Sequence, residues 1–523
     1  MSDVLGAMLR QAGHYLATGD QRAAEALLRR TLAQAPGQPD ALVMLGVALA
    51  MRDAHADAVL AFDGALRARP GFPQAMAQKA RSLDALDRSD EAVALAEAAG
   101  RGAQDAYTLD TAGVVLTHAG LHEKAAALYA RAAKAGGAPG YHYNHAMALV
   151  YLGRFDEAQG AFRECLARDP QHGPAWAGLV QITKQTPEQN EIPRLTALAQ
   201  RMAGDRIALH AIGHALAKAH EDIGDPAQAM AWLLRAKARL RKPGGEAIDA
   251  ALFSAAEASL SVRTPGAAQG APIFVTGMPR TGTTLTERIL SSHSAIASAG
   301  ELGDLPAVLK AITGLRSSRL LTGQLVAAAG EADPDTVGSS YMARVAKRLG
   351  IDGRFVDKLP ENIFLAPLIL RTLPEARVIC LKRHPADTVL GNYRQAFAPG
   401  AGDVDYALDL AETARYVVRF EAMVRRFAEA LPPDRFIVVR YEDIVGDLET
   451  QVRRMLAFCG LAFEEACLRF EQNAAPVATA SAAQVRRPIN AEGVGRWRRY
   501  RPAIDAALRI LIDGGAMDEN ELG

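Results

Sequence analysis

The sequence predicts an α-solenoid of helical repeats followed by an α/β domain with a mainly parallel central sheet. Three observations carry that prediction. A small residue recurs at a near-constant period through the first half, short β-favouring runs alternate with longer helical segments in the second half, and a glycine-rich turn joins the first of those runs to a helix. At 523 residues the chain exceeds one ordinary domain, and its apolar content, rich in alanine with only 6% aromatic residues, suits closely packed helices.

The period comes first. Ala24, Ala58, Ala92, Ala125 and Ala158 are so evenly spaced that successive intervals differ by at most a single position. Gly19, Gly120 and Gly153 stand five residues before their alanines, bulky residues (Leu28, Phe62, Tyr129, Phe162) stand four after, and Pro36, Pro70 and Pro170 stand twelve after. Each unit therefore reads as a helix, a glycine-marked turn and a second helix ended by proline. This frame resembles the tetratricopeptide repeat, in which small residues let two helices pack closely. Units at about 5–38, 39–72 and 139–172 match best; the third unit, ending in LAEAAGRGAQDAY, lacks both the bulky residue and the proline. A further helix from Pro174 and a divergent pair around Gly224, Ala229 and Ala236 extend the array, giving a repeat domain over 1–242. The array implies either a concave groove that holds a peptide or partner protein, or a scaffold that orients or oligomerises the rest of the chain.

Residues 243–271, ending in SVRTPGAAQGAP, lack helical period and read as a linker. The domain over 272–523 then shows β-favouring runs at Ile273 to Thr276, Arg354 to Val356, Arg377 to Leu381 and Phe436 to Val439. Parallel α/β sheets place ligands at the carboxyl ends of their strands, so the residues after these runs are the candidates for chemistry.

After the first run comes Gly277-Met-Pro-Arg-Thr-Gly-Thr-Thr284, leading into a helical pattern. Strand, tight turn and helix start direct free backbone N–H groups and the positive end of a helix dipole at one anion. The spacing follows G-x-x-x-x-G-K-[ST], with Thr283 where the lysine of a nucleoside-triphosphate site would stand. Thr281, Thr283, Thr284 and Arg280 are the remaining groups able to hold a terminal phosphate. After the other runs come Asp357-Lys358-Leu-Pro360, then Lys382-Arg383-His384-Pro385, then Arg440-Tyr441-Glu442-Asp443, while Glu301 follows the loop helix in the segment SAGEL. Arg280, Lys358 and Arg383 would gather cations at one crevice, which is costly without an anionic ligand. His293 reads as a cap or core residue at the end of the loop helix, and Trp497 as packing.

The order of the phosphate loop, SAGEL, DKLP, LKRHPADTVLGNY, VVRYEDIV and TASAAQVRRPINAEGVGRWRRY over about 270–500 resembles the sulfotransferase superfamily, nearest to the tyrosylprotein sulfotransferases and their repeat-fused bacterial relatives. The resemblance implies 3′-phosphoadenosine 5′-phosphosulfate (PAPS) as donor, with no metal required, and transfer of a sulfuryl group to an acceptor hydroxyl. It assigns Arg280, Thr281, Gly282, Thr283 and Thr284 to the 5′-phosphosulfate and Arg383 to the 3′-phosphate. Tyr441, Ser481 and Arg487 would make further nucleotide contacts, Glu301 would be the general base, and Lys358, with Arg280, would neutralise the leaving oxygen. The family usually carries a serine eight residues after the arginine at 383; here that residue is Gly391, and Asn392 is the neighbour able to replace its hydroxyl. The acceptor would be a peptide or protein, peptide tyrosine being the family's nearest example, or a small hydroxyl compound. A P-loop kinase or other phosphotransferase, and a non-catalytic repeat adaptor with a degenerate transferase domain, remain the alternatives.

Whole-chain properties agree with these expectations. The 59 basic and 59 acidic residues balance, so no global field points to nucleic acid or to an anionic membrane. Cys165, Cys380, Cys459 and Cys467 show no metal-ligand or C-x-x-C spacing and read as reduced core thiols. With no apolar span of membrane length and an amphipathic start, the expected location is cytoplasmic.

Overall fold

The computed structural model describes residues 2–240, 245–261, 265–350, 353–398 and 403–522. They fall into two compact units, 1–175 and 176–523.

The first unit is a run of antiparallel helix pairs, from Ser2–Ala17 with Gln21–Gln34 to Pro139–Leu152 with Phe155–Arg168. Ala24, Ala58, Ala92, Ala125 and Ala158 are all at most 1% exposed, so the periodic small residue sits where paired helices approach. The turn before each second helix requires a left-handed residue, and Gly19, Asp53, Asp87, Gly120 and Gly153 supply it with φ between 59° and 81°. Glycine adopts this conformation freely, and aspartate tolerates it better than most residues, so the two units without the glycine keep the turn. Small faces large elsewhere: a methyl added at Gly113 would come within 2.7 Å of the Tyr129 ring. At the corresponding positions of the third unit stand Ala80 and Ala96, both fully buried, so a pair of small residues stands where the other units set small against bulky.

In the second unit the helices Arg206–Asp222 and Pro226–Lys237 flank a left-handed Gly224, forming the divergent pair expected from the sequence. The repeat domain expected over 1–242 nevertheless does not coincide with the packing division at 175, and residues 241–244 lie outside the described residues. Within the segment expected as a linker, residues 245–258 form the helix Gly245–Ala258. Its Leu252, Phe253 and Ala256 are buried, and Phe253 meets Phe364 and Tyr416 edge-on, so tertiary packing creates a helix where local pattern is weak. Residues 262–264 of that segment lie outside the described residues, and 265–272 run without helix or strand.

Five strands form a parallel sheet: β1 (Ile273–Gly277), β2 (Ile296–Ser298), β3 (Arg354–Asp357), β4 (Arg377–Lys382) and β5 (Phe436–Arg440), in the order β2-β3-β1-β4-β5. Four of them fall on the predicted runs, each extended by a single position. β2, the Ile-Ala-Ser edge strand, is too short for a periodic signal and was not expected. The central strand β1 is buried throughout, as strands covered on both faces are. From β1 the chain moves toward the β2 edge, and from β4 toward β5. The crevice outside the carboxyl ends of β1 and β4 is therefore the switch point at which α/β sheets bind ligands. Among the described residues no helix is long and apolar enough to cross a membrane.

Candidate active site

The loop between β1 and the helix Thr283–Leu290 is shaped by three left-handed residues, Gly277 (φ 143°), Arg280 (φ 69°) and Gly282 (φ 105°). A side chain at Gly277 would strike the Leu381 carbonyl at 2.5 Å, and one at Gly282 the Tyr441 ring at 2.8 Å. Arg280 is neither glycine nor a residue that visits this region readily, so its backbone is strained, as residues at ligand sites often are. Surrounding groups hold it there. Its guanidinium donates to Ser481 Oγ at 2.6 Å and Gln484 Oε1 at 2.9 Å, and its carbonyl accepts from Arg383 at 3.2 Å. The helix that follows has no side-chain cap, which leaves its first N–H groups directed into the loop.

Around this loop the structure gathers Arg280, Gly282, Arg383, Tyr441 and Ser481. Arg383 lies over the Tyr441 ring at 4.6 Å and donates to the Gly493 carbonyl. Among the described residues its one carboxylate neighbour, Asp387, stands 4.0 Å away. That carboxylate is committed elsewhere, accepting from the N–H groups of Gly495 at 2.7 Å and Trp497 at 3.0 Å. The cations thus rest mainly on a hydroxyl, an amide and backbone carbonyls. Burial, then the charges of Arg383 and Arg496, push Arg280 down to about 10. An anion entering here would meet positive charge that no carboxylate fully neutralises.

The threonines divide by role. Thr281 donates to the Met278 carbonyl at 2.7 Å and closes the turn, whereas the Thr284 hydroxyl lies 3.4 Å from that of Thr479. Thr283 is buried beside it at the helix start. Arg487 is exposed and, among the described residues, makes no side-chain hydrogen bond or ion pair; Gln484, one turn earlier, is the group that reaches Arg280. Gly391 packs against Arg280, whose Cβ lies 3.2 Å from where a Gly391 Cβ would be. Asn392 does not replace the missing serine hydroxyl. It is fully buried, donates to the carbonyls of Pro279 and Thr388, and accepts from Tyr406 at 2.9 Å, so its amide braces the loop from behind.

A second group forms at the ends of β2 and β3. Lys358, fully buried, ion-pairs with the exposed Glu301 and stands 4.0 Å from Glu287. Its backbone N–H donates to the Gly300 carbonyl, which fixes the SAGEL turn against the DKLP turn. The carboxyls nearest to Lys358 in sequence, Asp357 and Glu361, are engaged otherwise. Asp357 accepts from the Tyr341 hydroxyl at 2.8 Å in full burial, which pushes its carboxyl up to about 8. Glu361, partly buried beside Gly277, Met278 and Pro279, is pushed up to about 7 by burial, with Glu301 and Asp403 adding to the shift. Sequence reasoning gave Glu361 no functional place; the short helix Pro360–Leu365 turns it back under the loop, a bend with no periodic signature.

His293 is structural: buried, it bonds the Ala462 carbonyl through Nε2 at 3.1 Å and accepts from Ala295 through Nδ1. Trp497 is fully buried and stacks on His384 at 5.7 Å, consistent with packing.

Comparison with known proteins matches two separate parts of the chain. Residues 272–465 match the sulfotransferase family, and residues 9–73 and 143–182 match the tetratricopeptide repeat. An uncharacterized protein of Aquifex aeolicus (strain VF5) is 36% identical over 46% of this chain and 32% of its own length. The protein-tyrosine sulfotransferase of Drosophila melanogaster is 23% identical over 43% of this chain and 46% of its own. Protein-tyrosine sulfotransferase 1 of Danio rerio is 23% identical over 43% of this chain and 65% of its own. The chain thus spans less than two thirds of the length of each of these relatives.

Proposed function

We propose that this chain, which joins tetratricopeptide repeats to a sulfotransferase-family domain, transfers a sulfuryl group from PAPS to an acceptor hydroxyl. The observation that carries the reading is the cationic crevice of Arg280 and Arg383 at an uncapped helix start, with Thr283 in place of the triphosphate-binding lysine. The residues fit the donor. A cradle in which Gly277 and Gly282 admit no side chain lets backbone N–H groups approach a phosphosulfate, and two arginines on neutral acceptors are free to exchange them for anionic oxygens. Arg280, Gly282, Thr283, Thr284 and the backbone of Thr281 would hold the 5′-phosphosulfate. Arg383 would hold the 3′-phosphate, Tyr441 would pack on the adenosine side, and Ser481 and Arg487 would add polar contacts. Bound PAPS supplies the sulfuryl group and a phosphate leaving group.

The chain's own groups do the rest. Glu301 Oε takes the acceptor's hydroxyl proton, which a neutral phenol or alcohol must lose to attack well. Lys358 orients that carboxylate through their ion pair and holds positive charge where the leaving oxygen gains its negative charge. Because Lys358 is fully buried, water screens that charge little. A peptide tyrosine is the acceptor we propose first, supported by the names of the Drosophila and Danio relatives and by an array of a peptide-binding type. In this reading the repeats bind the acceptor or a partner protein.

The test offers purified full-length chain sulfate-labelled PAPS and γ-labelled ATP beside tyrosine peptides and small phenols, and reads products by mass spectrometry. Label is expected from PAPS and not from ATP; phosphoryl transfer from ATP without sulfation would overturn the reading.

A further inference from the structure

The helix pair Arg206–Asp222 and Pro226–Lys237 lies apart from the sheet in sequence, yet it grips the segment that carries the nucleotide-side groups. Lys237, 1% exposed, donates to the carbonyls of Gln395 at 3.2 Å and Ala407 at 2.8 Å, with its ammonium 4.7 Å from the Tyr393 ring. These contacts fasten the end of the helix Pro385–Arg394. Glu221, from the other helix of the pair, ion-pairs with Arg394 through one carboxylate oxygen and stands 3.6 Å from Arg496 through the other. Arg394 also lies over the Tyr500 ring at 5.9 Å. The turn Arg496–Tyr500 is therefore tied to both ends of the helix Pro385–Arg394, by Asp387 at its start and by Glu221 at its end. Just before that turn is Gly493, whose carbonyl accepts from Arg383.

We propose that Glu221 is a positioning residue for the donor site: by bridging Arg394 and Arg496 it holds loop 493–497 against Arg383 and makes the helix pair 206–237 part of the donor-binding structure. The inference rests on the donor reading above. Glu221 acts through Arg496 and not by touching the crevice itself. The two arginines repel: burial, and with it the Arg496 charge, holds Arg394 below its ordinary value, and Arg496 acts likewise on the half-buried Arg280. With the carboxylate removed, this repulsion drives Arg496 and its loop away from the helix. A shared carboxylate between two like charges is what allows the loop to close over a site already rich in cations.

Two measurements on the full chain test it. Hydrogen exchange of segment 490–500 reads loop holding without any ligand, and calorimetry with adenosine 3′,5′-bisphosphate reads the donor site. Glu221→Gln, and separately Arg496→Gln from the other end of the pair, are expected to speed exchange of this segment about tenfold and to weaken nucleotide binding about tenfold. The double variant is expected to bind no more weakly than Arg496→Gln alone, because the Glu221–Arg496 contact through which Glu221 acts on the loop is already lost in that variant. Unchanged exchange in both single variants overturns the proposal whether or not nucleotide binds. Faster exchange with unchanged or tighter nucleotide binding overturns the positioning role. Failure of the unmutated protein to bind the nucleotide overturns the donor reading and the donor role of Glu221 with it, while exchange still decides whether Glu221 holds the loop.

Discussion

The two compact units are built by opposite means. In the first, 1–175, stabilising contacts recur: a buried alanine and a left-handed turn residue reappear with every repeat, a bulky partner in all but the third, and a helix meets chiefly its sequence neighbours. In the second, 176–523, the contacts that matter occur once. Arg280 is held by Ser481 and Gln484 from the far end of the chain, and Arg383 by Gly493. A repeat unit can therefore lose one feature and keep its shape, as the third unit shows with Ala80 and Ala96. Substitutions in the first unit should act on stability in proportion to lost packing, and those at the crevice on chemistry with the fold intact.

Substituting Glu301 is the strongest test of that contrast. Glu301→Gln keeps shape and removes the base, so turnover should fall about 10²- to 10⁴-fold while nucleotide affinity changes by less than about threefold. A parallel loss of affinity would mean that the Lys358 ion pair shapes the donor site and that the two polar groups are not separable. In the first unit Phe62→Ala should cost about 3–5 kcal/mol in urea denaturation of the repeats, since it empties a fully buried position. If turnover on a small phenol fell with it, the units would not act independently. Arg383→Ala should weaken nucleotide binding about 10- to 100-fold with no more than a small change in melting temperature, because its hydrogen bonds go to backbone carbonyls and Asp387, at 4.0 Å, is held by other N–H groups.

Asp357 gives a pH signature in the second unit. Its carboxyl, raised to about 8 by burial, prefers the protonated form in the fold, so the stability it contributes is complete below the ordinary carboxyl range and lost as pH rises through about 8. Asp357→Asn should therefore gain stability relative to the unmutated chain between about pH 5 and about pH 8 in urea unfolding; a constant difference across that range would show that the carboxyl is ionised in the fold. The smallest effect belongs to the repeats. Asp53→Gly and Asp87→Gly relieve a left-handed non-glycine residue, offset by the entropy of an unfolded glycine, and each should shift stability by less than about 1 kcal/mol.

Much of this molecule is legible in its residue order because the signals are local. The repeat period, the four predicted strands and the glycine-rich turn each depend on neighbours within a few positions, where backbone sterics and hydrophobic spacing act directly. Nothing local marks β2, a short run paired to β3 at an edge, or the helix Gly245–Ala258, which is ordered by Phe364 and Tyr416 from distant segments. The nomination of Arg280, Arg383, Tyr441 and Ser481 came from motif order, and the structure brings these four together; it leaves Arg487 outside their contacts and sets Gln484 there instead.

By itself, then, the sequence determined the two architectures and the anion-seeking character of the loop after β1, since glycine positions, helix starts and periodic burial follow from short-range physics. Only the tertiary structure decided which groups neutralise one another. It paired Lys358 with Glu301 and not with Asp357 or Glu361, turned Asn392 inward to brace the loop, and gave Arg496 a carboxylate from the helix Arg206–Asp222, remote from it in sequence. Electrostatic partners are chosen by distance in space and by the water excluded around them, and neither quantity is carried by spacing along the chain.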